Sequence, residues 1–173
     1  AKKSDRIAAE GAVVAAAAGA KGVLVEVNAE TDFVAKNAEF QNFIQGIATV
    51  CLESDVTDVE AIKALQFPGT GRSVAEELTH QIATIGENMS LRRLDRCDAG
   101  DGVVVSYIHG AGKIGVLIEL KTTSTDSQVG ELAKQIAMHV AAASPQYLNR
   151  DQVSSEVVDK EKEIMRVKAL DSG

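Results

Sequence analysis

The sequence predicts an α+β fold: two related subdomains with small antiparallel sheets and flanking helices, followed by the start of a coiled-coil-like helix. Three observations predict it. Short β-branched runs bounded by turn formers alternate with helical stripes, and glycine-rich turns divide the strand-like sequence of the second half. A strand-to-helix unit also recurs, because at an offset of 93 positions Gly22, Val23, Leu24, Val25, Glu26, Val27 falls over Gly115, Val116, Leu117, Ile118, Glu119, Leu120. In both copies a Thr- or Ser-bearing segment and an amphipathic helix follow, with Phe43 over Ile136 and Ile47 over Val140.

In chain order, Ser4 is read as the cap of a first helix with Ile7, Ala8, Gly11, Val14, Ala15 and Ala18 on one face, stopped at Gly19. Val23–Val27 reads as a buried strand, ended by 28–32. The next helix buries Phe40, Phe43, Ile44, Ile47 and Cys51, with Thr31 or Asp32 as its cap. Capping boxes, Thr57 with Glu60 and Ser73 with Glu76, open two more helices across the linker 66–72, and Gly86 closes the second. Met89–Leu94, Val103–Ile108 and Ile114–Leu120 read as an antiparallel meander. A helix from Thr125, boxed with Gln128, to Ala143 turns Val129, Leu132, Ile136 and Val140 inward and ends before Ser144 and Pro145. The last segment carries a narrow seam of Val153, Val157, Ile164 and Val167 beside the charged run 159–163, which suits self-association or a single helical partner. The implied domains are 1–86, 87–150 and 151–173.

Composition narrows the function. With 173 residues and 45% apolar content, the chain can build one moderate core or two small ones. The Gly11–Ala20 run is mostly alanine and too short to cross a bilayer, and no apolar stretch follows Ala1, Lys2, Lys3 and Ser4 as in a secretory signal. A net charge of −7 and 3% aromatic content argue against direct nucleic-acid binding, which draws on basic fields and stacking rings. Cys51 and Cys97 stand far apart, as small core residues in a reducing compartment.

Chemical motifs are sparse. Gly110, Gly112 and Gly115 form a literal GxGxxG around Lys113, but a dinucleotide loop needs a strand before it and a helix after, whereas strand sequence follows here. These glycines read as a hairpin turn with positive φ. Gly69, Thr70, Gly71, Arg72, Ser73 resembles the end of a phosphate loop without its upstream glycine, since position 66 is Gln. His80, His109 and His139 are scattered, so no catalytic role or cofactor is assigned. Tyr107–His109 reads equally as a surface contact or as hairpin structure, and His139 as a boundary residue of its helix. Phe33 reads equally as a continuation of the Phe40 stripe or as a side chain projecting from the helix tip. The second copy carries Asp126 in its register.

The sequence resembles the elongation factor Ts family over nearly its whole length. Arg6–Gly11 with Val25–Ala35, then Ile85–Asn88 with Tyr107–Gly110 and Ile114–Leu117, then Ile136–Ala141 with Val157–Glu161 carry the likeness. The resemblance implies a non-enzymatic guanine-nucleotide exchange factor for elongation factor Tu, GDP-bound or nucleotide-free, in a bacterial cytoplasm or an organelle matrix or stroma. It implies that Phe33 wedges into the partner's GTPase domain beside Asp32, with Thr31 and Val34 adjoining, and that Ile114, Gly115 and His139 touch the partner elsewhere. It further implies a small helical module ahead of Ala1, and beyond Gly173 a return arm for a helical hairpin and the close of the second subdomain. The rivals are an acidic α+β interaction module with another partner and a nucleotide-binding enzyme using Gly110 to Gly115.

Overall fold

Val13 and Val14 point to opposite sides of a strand, and that alternation organises the first half of the structure. The structure is a computed structural model describing residues 5–172. Strand β1 (Glu10–Ala18) pairs antiparallel with β2 (Lys21–Ala29) through the turn at Gly19, φ 59°. This corrects the first helix of the sequence reading; its proposed cap, Ser4, lies outside the described residues. A run of alanine and valine fits a period of two as well as 3.6, and the partner strand decides between them. Gly11, at φ 130°, lies against the backbone of Val27 and Asn28, where no side chain would fit.

The other face of the hairpin, with Ala12, Val14, Val23, Val25 and Val27, is buried under α2 (Ala38–Glu53). Phe40, Phe43, Ile44, Ile47, Ala48 and Cys51 face inward there, at helical spacing. Asn37 caps α2 by accepting from the Glu39 N–H. Phe33 is therefore not at the tip of α2: it lies in a separate four-residue helix, α1 (Asp32–Ala35), capped by Thr31.

Helix α3 (Val59–Ala64) is capped by Asp58, whose carboxylate accepts from the Ala61 N–H, in place of the expected Thr57 box. The Ser73 and Glu76 box of α4 (Val74–Ile85) is present with both reciprocal bonds, and Gly86 ends the helix at φ 92°. Between them Phe67 lies over Phe43, ring centroids 5.6 Å apart.

Strand β3 (Met89–Asp98) pairs with β2, giving the sheet order β1-β2-β3, while β4 (Gly102–His109) pairs with β5 (Ile114–Lys121). The expected three-stranded meander is thus divided: β3 completes the first sheet. Of the three glycines at the hairpin, Gly110 and Gly112 have positive φ and Gly115 belongs to β5.

Helix α5 (Gln128–Ala143) starts three residues later than expected, where the Asp126 carboxylate accepts from the Gln128 N–H. It buries Ala133, Ala137 and Ala141 in place of the bulkier row, leaving Leu132 52% and Ile136 37% exposed. Small side chains let the helix sit close to Val116 and Tyr107 of the hairpin. At the repeat offset, Ala133, Ala137 and Ala141 match Phe40, Ile44 and Ala48, so both copies bury the same helical row. These elements belong to a unit reaching Ala142; a second unit, from Ala143 onward, carries a 3-10 turn (Arg150–Gln152) and α6 (Ser155–Asp171), capped by Ser154 and without buried residues. No described helix is long and apolar enough to cross a membrane.

Candidate functional site

Thr31 sets the geometry of the candidate site. Its backbone is extended, φ −127° and ψ 157°, and its hydroxyl accepts from the Val34 N–H, which starts α1. Four residues cannot hold a helix by propagation alone. Val34 and Ala35 supply part of the hold by being buried against the first core. The Gln41 side-chain amide donates to the Ala35 carbonyl at 2.5 Å. Between these anchors Phe33 projects outward, 82% exposed.

A second hold comes from far along the chain. The sheet register Ala29↔Met89 brings Glu30 opposite Asn88 and Thr31 opposite Glu87 once the strands end. Side chains continue the pairing there: the Thr31 N–H and hydroxyl donate to the two Glu87 carboxylate oxygens at 3.0 and 2.8 Å. In return the Asn88 N–H donates to Glu30 Oε1 at 2.6 Å, and Arg6 lies 3.6 Å from the same oxygen. Sequence reasoning had Glu30 and Glu87 only within the segments that carry the family likeness and assigned neither a role. The signal was a helix stop at Gly86 three residues before Met89 opens β3, legible only with the register in hand.

Charge surrounds the exposed ring. Lys36 donates to Asp32 at 2.7 Å and holds that carboxyl below its ordinary value, with Lys113 adding to the effect. Lys113 donates to Glu10 at 2.7 Å and is itself raised, by Glu10 first and Asp32 after. The tip of the β4–β5 hairpin therefore lies within electrostatic reach of α1. The Val13 N–H donates to the Gly112 carbonyl at 2.8 Å and fastens that tip to β1.

Ile114 and Gly115 follow directly on the tip. A Cβ at Gly115 would come within 2.6 Å of Val13 and 3.0 Å of Leu24, so glycine is what permits the hairpin to seat there. Ile114 is partly exposed, and with Val13, Leu24, Glu26 and Arg93 it lines an open groove of about 350 Å³. His139 is exposed on α5, and its side chain forms no hydrogen bond or ion pair among the described residues. Thus Thr31, Asp32, Phe33 and Val34 are one local group, Ile114 and Gly115 adjoin the Lys113 tip beside it, and no described contact ties His139 to either.

The glycine turn has the wrong continuation for a dinucleotide: β5 follows it, where a helix would have to begin. No group of three or more His, Cys, Asp or Glu suited to a metal ion occurs among the described residues.

Two similar strand-to-helix units, the first holding an exposed phenylalanine out from a short anchored helix, define the α+β class of the chain. The chain belongs to the elongation factor Ts family. The model of that family, described as Elongation factor TS, matches residues 30–173. The chain is 65% identical over 174 residues to the elongation factor Ts of Syntrophotalea carbinolica, covering 100% of this chain and 57% of that one. It is 52% identical to that of Magnetococcus marinus and 53% identical to that of Paramagnetospirillum magneticum, covering 99% and 100% of this chain and 57% of each relative. The chain thus spans somewhat more than half the length of these relatives.

Proposed function

We propose that this chain is a guanine-nucleotide exchange factor that binds elongation factor Tu and promotes GDP release during translation elongation, with Phe33 as its wedge. The observation that carries this reading is the contrast within α1: Val34 and Ala35 are buried, while Phe33 is 82% exposed. A fold has no use for an anchored helix that holds a phenylalanine in water, whereas a partner with an apolar cleft does.

The mechanism follows from burial and linkage. Fully burying a phenylalanine contributes roughly 1.5–3 kcal/mol. Each tenfold loss of nucleotide affinity needs about 1.4 kcal/mol of differential binding, so one wedge can weaken GDP by about one to two orders of magnitude. Insertion between helices of the GTPase domain disturbs the loops that hold Mg²⁺ and the nucleotide phosphates, and GDP leaves. The coupling is reciprocal: GDP weakens the factor as much as the factor weakens GDP. No covalent step is required, so the chain works as a ligand of the GTPase. Asp32, Thr31 and Val34 would border the wedge, and Ile114, Gly115 and His139 would touch the partner elsewhere.

The test is release of a fluorescent GDP from elongation factor Tu with this chain and with Phe33→Ala. The expected result is acceleration by the wild type and a loss of about tenfold or more in the variant. Equal acceleration by both would remove the wedge assignment.

A further inference from the structure

We propose that Glu87 is a positioning residue for Phe33, which fixes the direction of the ring by holding the cap of α1 from the end of the neighbouring strand; this rests on the wedge reading above. Three features of the structure lead to it. Thr31 gives both of its donors to the Glu87 carboxylate, at 3.0 and 2.8 Å, while its hydroxyl oxygen still accepts from the Val34 N–H. One residue therefore caps α1 and is itself held.

Glu87 is well placed to hold it. It sits between Gly86, which ends α4, and Met89, which opens β3 in register with Ala29, so its backbone is fixed from both sides. The reciprocal bond from the Asn88 N–H to Glu30 locks the two strand exits together. Finally, α1 has only four residues and cannot stand alone. Without the Glu87 bonds the cap becomes mobile while the Val34 and Ala35 anchors remain. The ring would then sample many directions, of which a few fit a cleft.

Such a loss has a particular kinetic form. If the competent orientation is populated only in part, apparent affinity falls by that fraction, while a bound complex behaves as before. The experiment uses Glu87→Ala, Glu87→Gln, Phe33→Ala and the double variant Glu87→Ala with Phe33→Ala. Amide hydrogen exchange is read at residues 34–36, and GDP release from elongation factor Tu is read as a function of factor concentration. Expected for Glu87→Ala are faster exchange in α1 with the α2 amides unchanged, and about a tenfold rise in half-saturating concentration with an unchanged plateau. Glu87→Gln retains an acceptor for the Thr31 N–H and a donor for the hydroxyl, and is expected within about twofold of wild type. In the double variant the Glu87 change should add nothing to the loss caused by Phe33→Ala.

Unchanged amide exchange in α1 of Glu87→Ala would overturn the proposal, as would losses that simply multiply in the double variant. If Phe33→Ala leaves GDP release intact while Glu87→Ala loosens α1, the wedge reading fails and the hold on the helix stands. Should Glu87→Ala not fold, Glu87→Ser, too short to reach Thr31, is read by the same two assays with the same criteria.

Discussion

Phe43 and Ile136 occupy the same position of the repeated unit, yet Phe43 is 2% exposed and Ile136 is 37% exposed. The difference lies in what covers them. Phe67, from the α3–α4 connection, lies over Phe43 with its ring tilted by 35°, whereas Ile136 stays partly in water. Equivalent positions therefore carry unequal energies.

Phe43→Ala is expected to destabilise the chain by about 3–5 kcal/mol, because it removes a ring from a closed core. Ile136→Ala should cost about 1 kcal/mol, since much of that side chain is already in water. Urea unfolding of the two variants measures both, and a larger loss for Ile136→Ala would contradict the burial.

Gly46 lies on α2 beneath the Phe67 ring, where an added Cβ would collide with the ring atoms. Alanine gains about 1 kcal/mol over glycine in a helix, and overpacking costs about 1–3 kcal/mol. Gly46→Ala is expected to lose about 1 kcal/mol net. In a Phe67→Leu background the same change should become stabilising, and thermal melting of the four combinations decides it.

Burial raises the Glu26 pKa, but hydrogen bonds from Arg93 and Asn28 outweigh it and leave the carboxyl below its ordinary value of 4.5. A depressed folded-state pKa means that the unfolded chain takes up the extra proton as pH falls. The contribution is complete above pH 4.5 and is lost as pH drops through the folded value. Glu26→Gln should therefore flatten the acid side of the stability profile, as measured by urea unfolding between about pH 6 and about pH 3. A profile as steep as wild type would count against the Arg93 and Asn28 bonds.

Burial pushes the Cys51 thiol up to about 11, and it packs in the first core. Cys97, also raised by burial, is partly exposed on β3. At about pH 8 a thiol reagent should label Cys97 first, and Cys51 only as fast as the core opens. Mass spectrometry of partly labelled chains shows the order. Simultaneous labelling would mean that the α2 core opens more readily than its packing implies.

Much of the fold was legible from local signals. The Ser73 box, the Gly86 stop and the Val23–Val27 strand rest on chemistry within a few residues, and they stand in the structure where the sequence placed them. Errors arose where a partner decides. In β1 every residue after Glu10 is glycine, alanine or valine, so helix and strand patterns coincide until β2 supplies the hydrogen bonds. In α5 the bulky row drew attention, although close approach to the hairpin selects Ala133, Ala137 and Ala141. At the candidate site Phe33 could be named but its exposure could not be read, because the break between α1 and α2 at Asn37 is what turns it away from the Phe40 stripe. Glu87 lay 56 positions from Thr31, beyond any periodicity.

Phe33 sits on a helix whose side-chain anchors lie in its neighbours: Thr31 on one side, Val34 and Ala35 on the other. The bonds that hold the helix and the ring that it exposes are thus carried by different side chains. Exchanging the side chain at position 33 for larger, smaller or charged groups is therefore expected to leave the melting point nearly unchanged, so that a graded series at this position can be compared in chains that fold alike.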